Sequence, residues 1–211
     1  MTMLEEFLFV FVPLLIIVNP SSTLALFSAI TSKYSKKERF RTAKNASIYA
    51  GILLIIFAIA GSSILEYLKI EIYSLRIAGG ILLAFVGLDM VRRGEQFGES
   101  IPGKGQKTDY ALVPLALPSL SGPGAITVTI VSMRTLTSDN FWLFAVLIAI
   151  AAILLTMVIT YLIFMGSEIV IRVLGKKGMD AFTRVMGLLT VAIAVQFALT
   201  GMTEWISTIQ I

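Results

Sequence analysis

The sequence has no cysteine and no histidine, and only 14% of its 211 residues are charged, whereas 57% are hydrophobic. Soluble domains contain about 25% charged and about 45–50% apolar residues, so this composition argues against a soluble enzyme. The two absences exclude thiol catalysis, disulfide bonds, Cys/His zinc sites and imidazole proton shuttles. We therefore expect no metal site, no cofactor and no enzymatic activity.

Long apolar runs are what the sequence has in abundance. A helix needs about 20 mostly apolar residues to cross the bilayer core of about 30 Å. Six runs satisfy this requirement, at about 7–30, 43–65, 73–91, 110–133, 141–164 and 181–202. They predict an all-α membrane protein with six transmembrane helices, located in the cell membrane and in contact with the lipid bilayer.

Lysine and arginine concentrate in alternate loops. Fourteen lie at one end of the predicted spans, and only Lys69, Arg76 and Arg134 lie at the other. The positive-inside rule places loops 31–43, 92–109 and 165–180 in the cytoplasm, and both termini outside. The basic run at 33–44 could also be interpreted as a nucleic-acid patch. Its place in the alternating pattern favours a topology signal, so we expect no nucleic-acid partner.

The two halves of the chain resemble each other. Three pairs of motifs correspond: Val12-Pro13-Leu14 with Val113-Pro114-Leu115, Asn19-Pro20 with Gly122-Pro123, and Arg76-Ile77-Ala78-Gly79 with Arg184-Val185-Met186-Gly187. The predicted domains are a repeat at 1–93, a cytoplasmic linker at 94–109 and a repeat at 110–211. Because each half has three spans, the second copy would be inverted, as in many secondary transporters. The alternative is chance similarity between apolar segments.

Two prolines, Pro20 and Pro123, fall near the middle of the first and fourth spans. Proline breaks or kinks a helix but is tolerated as the first residue of a new one. Asn19 is a good N-cap for such a restart, and Ser121 with Gly122 offers the same signal. We therefore expect helices 1 and 4 to be broken at mid-membrane. The alternative is a pair of structural kinks, which are common in membrane helices.

Restarted helices present free backbone N–H groups and a partial positive charge, which together bind anions such as a carboxylate. The C-terminal carbonyls of the first half-helices could hold an ammonium group, so the pair suits a small zwitterion. The predicted substrate-binding residues surround both prolines: Asn19, Pro20, Ser21, Ser22, Thr23, Ser121, Gly122, Pro123 and Gly124.

The motifs around these residues are similar to those of the MarC family, which includes SnatA-like transporters. The resemblance is carried by Val18-Asn19-Pro20, Arg76-Ile77-Ala78-Gly79-Gly80, Gly87-Leu88-Asp89-Met90, Pro114-Leu115-Ala116-Leu117-Pro118, Gly122-Pro123-Gly124-Ala125-Ile126-Thr127 and Ala194-Val195-Gln196-Phe197. It implies six spans and transport of small neutral amino acids such as glycine and alanine, driven by a proton or sodium gradient. Many relatives have Ile/Val-Gly where this chain has Ser21-Ser22, a departure that would alter the pocket.

Five further residues are candidates for coupling or gating. Asp89, the one carboxylate inside a predicted span, could carry a proton or Na⁺, or could pair with Arg92 or Arg93. Arg76 and Arg184, at equivalent repeat positions, would snorkel or pair with a carboxylate of the other half. Gln196 and Asn45 would line the cavity or join helices by hydrogen bonds.

The leading prediction is a secondary transporter working by alternating access. The alternative is a small-solute or ion channel or exporter, which would need a more continuous polar lining. The sequence alone does not specify the oligomeric state.

Overall fold

The structure, a computed structural model, describes residues 2–94, 110–139 and 141–209, and within them it is helical with no strand. The all-α expectation is confirmed for these residues. The predicted linker lies outside them beyond Gly94, together with Lys104 and Lys107. The helices are α1 Met3–Val18, α2 Pro20–Ile30, α3 Lys36–Tyr67, α4 Ile72–Arg93, α5 Ala111–Leu120, α6 Pro123–Asp139, α7 Trp142–Met165 and α8 Ser167–Ile209.

Five helical stretches are long and apolar enough to cross a membrane, and each contains one of the predicted runs. They are Met3–Ile30, Lys36–Tyr67, Ile72–Arg93, Trp142–Met165 and Lys177–Ile209. A sixth is reached if α5 and the part of α6 up to Thr137, which are bent by 57° relative to each other, count as one. Large apolar side chains such as Leu147, Leu154 and Val158 are exposed on the outside of the bundle, as contact with lipid requires.

Local sequence explains how several of these helices begin and end. Ser35 and Glu38 form a capping box at the start of α3, each side chain accepting a hydrogen bond from the other residue's backbone N–H. The helix α8 is kinked at Gly175, whose φ of 62° is a backbone conformation that glycine adopts without strain. This kink separates Lys177–Ile209 from the first turns of α8.

The hydrophobic core lies between α1, α3, α5 and α7, with α2 against one side. Small residues on α3, including Ala43, Ala46 and Ala50, are fully buried and let this long helix lie close to its neighbours. Phe27 of α2 stacks on Phe164 of α7, with ring centroids 4.6 Å apart. The core therefore holds α2 in a fixed position, although α2 is only 11 residues long.

Helices α4 and α8 pack antiparallel along most of their lengths, and glycines make the contact possible. A Cβ on Gly87 would lie 2.8 Å from the Gly187 carbonyl oxygen, and a Cβ on Gly187 would lie 2.8 Å from the Gly87 oxygen. Further along, a Cβ on Gly80 would lie 2.7 Å from the Ala194 oxygen. Because the opposing atoms belong to backbone, no side-chain rotation can relieve such contacts, so the two helices form a tightly fitted pair.

Replacing Gly87 with alanine should separate α4 from α8 and lower the free energy of unfolding by about 1–3 kcal/mol, the usual cost of overpacking. Gly51→Ala is the matched control, because its Cβ would meet only the flexible Met157 side chain, 3.1 Å away. The melting temperatures of the detergent-solubilised proteins measure both effects. Equal melting temperatures for the two variants would contradict the packing described for α4 and α8.

Candidate functional site

The first helix interruption lies at Asn19, which is 3% exposed. Its backbone is left-handed, with φ 41° and ψ 71°, a conformation that asparagine tolerates better than most residues. Its N–H donates to the Leu15 carbonyl, 3.1 Å away, and closes α1. Its own carbonyl accepts from the Ser22 N–H at 3.2 Å and the Ser22 hydroxyl at 3.0 Å, so one residue ends α1 and starts α2.

The expectation that the Asn19 side chain caps α2 is wrong. Asn19 occupies the N-cap position, but its side chain makes no capping hydrogen bond. Its Oδ1 instead accepts from the Ser21 hydroxyl at 2.6 Å, and its Nδ2 lies 4.0 Å from the Met90 sulfur. The left-handed backbone suits a residue that terminates a helix, and here it terminates α1.

The second interruption lies between α5 and α6. Val113 and Leu117, inside α5, have extended backbones because each precedes a proline, which disfavours the helical conformation. Ser121 is fully buried, and both its N–H and its hydroxyl donate to the Ala116 carbonyl, at 3.0 and 2.8 Å. Ser121 therefore closes α5 and does not cap α6 through these bonds.

The start of α6 is pressed against α1 and α4. A Cβ on Gly124 would lie 2.5 Å from Leu83 Cδ2 and 3.3 Å from Ile17 Cγ2. The first N–H groups of a helix have no acceptor within it, so those of Gly124 and Ala125 are available to a ligand. Pro123 contributes no N–H, and the Ile126 N–H already donates to the Gly122 carbonyl at 3.1 Å.

Both interruptions border one cavity of about 400 Å³. Its walls come from four parts of the fold: Ile17, Ser22, Thr23 and Leu26 of α1 and α2; Leu83 and Val86 of α4; Pro114, Pro118, Ser119 and Leu120 of α5; and Gly122, Pro123, Gly124 and Ala125. Among the predicted binding residues, Ser22, Thr23, Gly122, Pro123 and Gly124 line it. The other four, Asn19, Pro20, Ser21 and Ser121, are not among the lining residues.

The cavity has some polar lining groups, and none of its lining residues carries an ionisable side chain. Thr23 is 5% exposed, and the described part of the chain gives its hydroxyl no hydrogen-bond partner. The Pro118 carbonyl oxygen also lies here, 2.6 Å from where a Cβ on Gly122 would stand. The carbonyls of Leu15 and Ala116, in contrast, already accept N–H groups. A ligand would therefore meet neutral donors and acceptors.

Asp89 and Arg184 lie away from this cavity. Asp89, at the far end of α4, pairs with Arg93, with Oδ1 and Nε 3.2 Å apart. Arg184 pairs with Asp180 of its own helix at 3.0 Å and donates to the Val91 carbonyl of α4 at 2.9 Å. Both acids therefore have arginine partners on their own helices.

Gln196, Asn45 and Arg76 are not cavity residues either. The Gln196 amide donates to the Thr200 hydroxyl of the same helix at 3.1 Å and is exposed, so this bond joins no second helix. Asn45 is half-buried near the start of α3 and is absent from the cavity walls. Arg76 pairs with Glu204 of α8, in the other half of the chain.

One buried carboxylate was missed by the sequence analysis, which treated Asp89 as the single acid within a span. Glu6 is 5% exposed on α1. Its spacing could have identified it, because Glu6, Val10, Leu14 and Val18 follow one another every four residues along the buried face. The apolar walls at Leu26, Leu83 and Val86 were also missed, since nothing local distinguishes them from lipid-facing residues.

Comparison with known proteins assigns the chain to a family. Residues 4–206 match the MarC family integral membrane proteins. This chain belongs to the MarC family. The predicted resemblance is thereby confirmed over nearly the whole length, and the protein is an integral membrane protein.

Relatives within the MarC family come from distant organisms. A UPF0056 membrane protein of Methanocaldococcus jannaschii is 39% identical over 204 residues, covering 94% of this chain and 96% of the relative. The UPF0056 inner membrane protein MarC of Escherichia coli O1:K1 is 33% identical over 207 residues, covering 93% and 94%. No solved structure matches this chain.

The contact between Gly124 and Leu83 can be tested by a double-mutant cycle. Gly124→Ala should cost about 1–3 kcal/mol of unfolding free energy, because Leu83 is fully buried and has little room to move. Leu83→Ala alone should cost about 2–5 kcal/mol. The double variant should lose less than the sum, because the smaller Leu83 side chain relieves the clash. Strictly additive losses in thermal unfolding would contradict this placement of α6.

Proposed function

We propose that this MarC family protein is a secondary transporter of small neutral amino acids such as glycine and alanine. The observation that carries the proposal is the cavity between the starts of α2 and α6, which offers both hydrogen-bond donors and acceptors but has no charged side chain among its lining residues. A volume of about 400 Å³ lies within the range of ligand pockets, about 300–1,000 Å³.

A zwitterion would satisfy both the donors and the acceptors of this cavity. The substrate carboxylate would accept hydrogen bonds from the N–H groups of Gly124 and Ala125, where the helix dipole of α6 adds favourable charge. The substrate ammonium would donate to the Pro118 carbonyl and to the Thr23 hydroxyl. Each full charge thus meets fixed dipoles, which suits a low-dielectric interior that disfavours unpaired charged side chains.

The remaining walls favour a small, neutral substrate side chain. Leu26, Leu83 and Val86 are apolar and belong to these walls. A charged substrate side chain would lose its hydration there without gaining a partner. Glycine and alanine carry no such group, so these walls support a neutral substrate.

The proposal includes an arrangement in the membrane. The chain would comprise two inverted three-helix repeats with helices 1 and 4 interrupted at mid-membrane, a pattern of secondary transporters. The basic segments would lie in the cytoplasm, with both termini outside. Transport would be coupled to a proton or sodium gradient, would involve no enzymatic reaction and would take place in the cell membrane.

Uptake into proteoliposomes tests the function directly. The purified protein should take up labelled glycine and alanine saturably, exchange internal for external substrate, and respond to an imposed proton or sodium gradient. A channel would instead conduct without saturation or exchange. Absence of uptake above that of protein-free liposomes, for both amino acids and under both gradients, would refute the proposal.

Thr23→Val should raise KM for glycine about tenfold or more, because a hydrogen bond to a charged group contributes about 1.5–3 kcal/mol. Thr129→Val is the matched control. It removes a buried hydroxyl that bonds to the Ala125 carbonyl of its own helix at 2.8 Å and does not line the cavity. Its KM should stay near that of the wild type. An unchanged KM in Thr23→Val would remove Thr23 from the site.

A further inference from the structure

Three helices are tied together at the end of the bundle opposite the basic segments. The Arg76 guanidinium of α4 pairs with the Glu204 carboxylate of α8 through Nη1 and Oε1. Its Nη2 donates to the Thr135 hydroxyl of α6, 3.0 Å away. We call Arg76, Thr135 and Glu204 the outer cluster. Arg76 lies on α4, which lines the cavity. Thr135 lies on α6, which begins at the cavity, and Glu204 lies on α8, which packs against α4.

A closed contact between α4 and α6 connects the outer cluster to the cavity. Leu83 meets Gly124 at the cavity wall. Arg76, two turns before Leu83 on α4, meets Thr135, three turns after Gly124 on α6. Between them Gly79 faces Thr127 so closely that a Cβ on Gly79 would lie 2.0 Å from Thr127 Cγ2. The 11 residues from Gly124 to Thr135 span about 16 Å at 1.5 Å per residue. Helices α4 and α6 therefore touch at three levels between the cavity wall and the outer cluster.

The cavity extends in the opposite direction. Leu26 of α2, Val86 of α4 and Pro114 of α5 belong to its walls. Each lies on the part of its helix that is near a basic segment. Leu26 lies on the way to Lys33, Val86 lies on the way to Arg92, and Pro114 follows the segment that precedes α5. The structure thus combines a cavity whose walls extend towards the basic end with a close contact between α4 and α6 towards the opposite end.

The outer cluster is partly buried and incompletely satisfied. The Arg76 side chain is 11% exposed and that of Glu204 is 38% exposed. Within the part of the chain that the structure describes, Arg76 Nε and Glu204 Oε2 are buried without a hydrogen-bond partner. An ion pair whose unsatisfied atoms are buried loses part of its attraction to desolvation, so water can replace it at a smaller cost than a fully bonded pair. Such a contact suits an interface that opens and closes.

We propose that the outer cluster is the gate that closes the cavity at the end of the bundle opposite the basic segments. The proposal rests on the transport function proposed above. In the closed state, Arg76 holds α6 and α8 against α4. In the open state, water separates the three side chains, and α6 moves away from Gly79, which exposes the cavity to the other side of the membrane.

The natural absence of cysteine permits a test that does not require transport. A single Ser22→Cys reporter places one thiol in the cavity wall, and a membrane-impermeant maleimide reports which membrane face reaches it. Labelling rates are measured in right-side-out and inside-out vesicles. In the otherwise wild-type chain we expect labelling from the face of the basic segments and slow labelling from the opposite face.

Arg76→Gln and Glu204→Gln should each raise labelling from the slow face about tenfold, which corresponds to 1.4 kcal/mol in the equilibrium between closed and open states. Thr135→Val should raise it less, because it removes only a neutral acceptor. The charge-swapped variant, Arg76→Glu with Glu204→Arg, should restore slow labelling. Arg134→Gln is the matched control, since Arg134 is an exposed arginine beside Thr135 and outside the cluster.

Unchanged labelling from the slow face in Arg76→Gln and Glu204→Gln, with normal labelling from the other face, would overturn the gate. Equal labelling of the wild-type reporter from both faces would overturn it too. Variants that have lost structure are recognised because they lose labelling from the fast face as well. Amino-acid uptake separates the two proposals. Uptake is measured with the wild-type chain, because the reporter alters Ser22 in the cavity wall. Expected labelling without glycine uptake by the wild-type chain retains the gate and refutes the substrate, whereas uptake with unresponsive labelling refutes only the gate.

Discussion

The backbone of a membrane protein must satisfy its own hydrogen bonds, because lipid offers no donors or acceptors. This constraint governs both helix interruptions. At the first, the Asn19 N–H donates to the Leu15 carbonyl, and the Asn19 carbonyl accepts from the Ser22 N–H at the start of α2. At the second, Ser121 donates twice to Ala116. Both turns thus use nearby carbonyls to close the preceding helix. What remains available is concentrated at the start of α6 and the end of α5, and those groups define the cavity.

The sequence predicts the parts of this architecture that depend on neighbouring residues. Spans follow from apolar runs, and the positions of the interruptions follow from Pro20 and Pro123, because the effect of proline on a helix is local. The orientation of polar side chains around Asn19 does not follow in this way. A left-handed residue resets the rotation of α2 relative to α1. Thr23 therefore reaches the cavity and Ser21 turns back to Asn19, although both are equally plausible ligands by position.

Arg76 and Arg184 show how one motif acquires two roles. Both open an Arg-x-x-Gly sequence, yet the residue four positions earlier is Asp180 for Arg184 and Ile72 for Arg76. Arg184 therefore pairs within its own helix, at a half-exposed site. Arg76 has no such local partner and pairs with Glu204, 128 residues away. Pairing over this distance depends on the packing of α4 against α8, which hydropathy does not encode, and for that reason Glu204 was not predicted.

Helix α6 links the chemistry of the cavity to the charges at the end of the bundle. It runs from Pro123 to Asp139, about 25 Å at 1.5 Å per residue. Its first N–H groups face the cavity, and Thr135 contacts Arg76. The pair α4 and α8 is fitted through backbone contacts at Gly87 and Gly187, so these two helices resist relative sliding. A ligand that binds one position of α6 more tightly than another shifts the equilibrium towards that position. The size of the shift is limited by the difference in the ligand's affinity for the two positions. Since the residues lining the cavity have no ionisable side chain, the transport proposal assigns that difference to the alignment of the α6 N–H groups with the carboxylate of the proposed substrate.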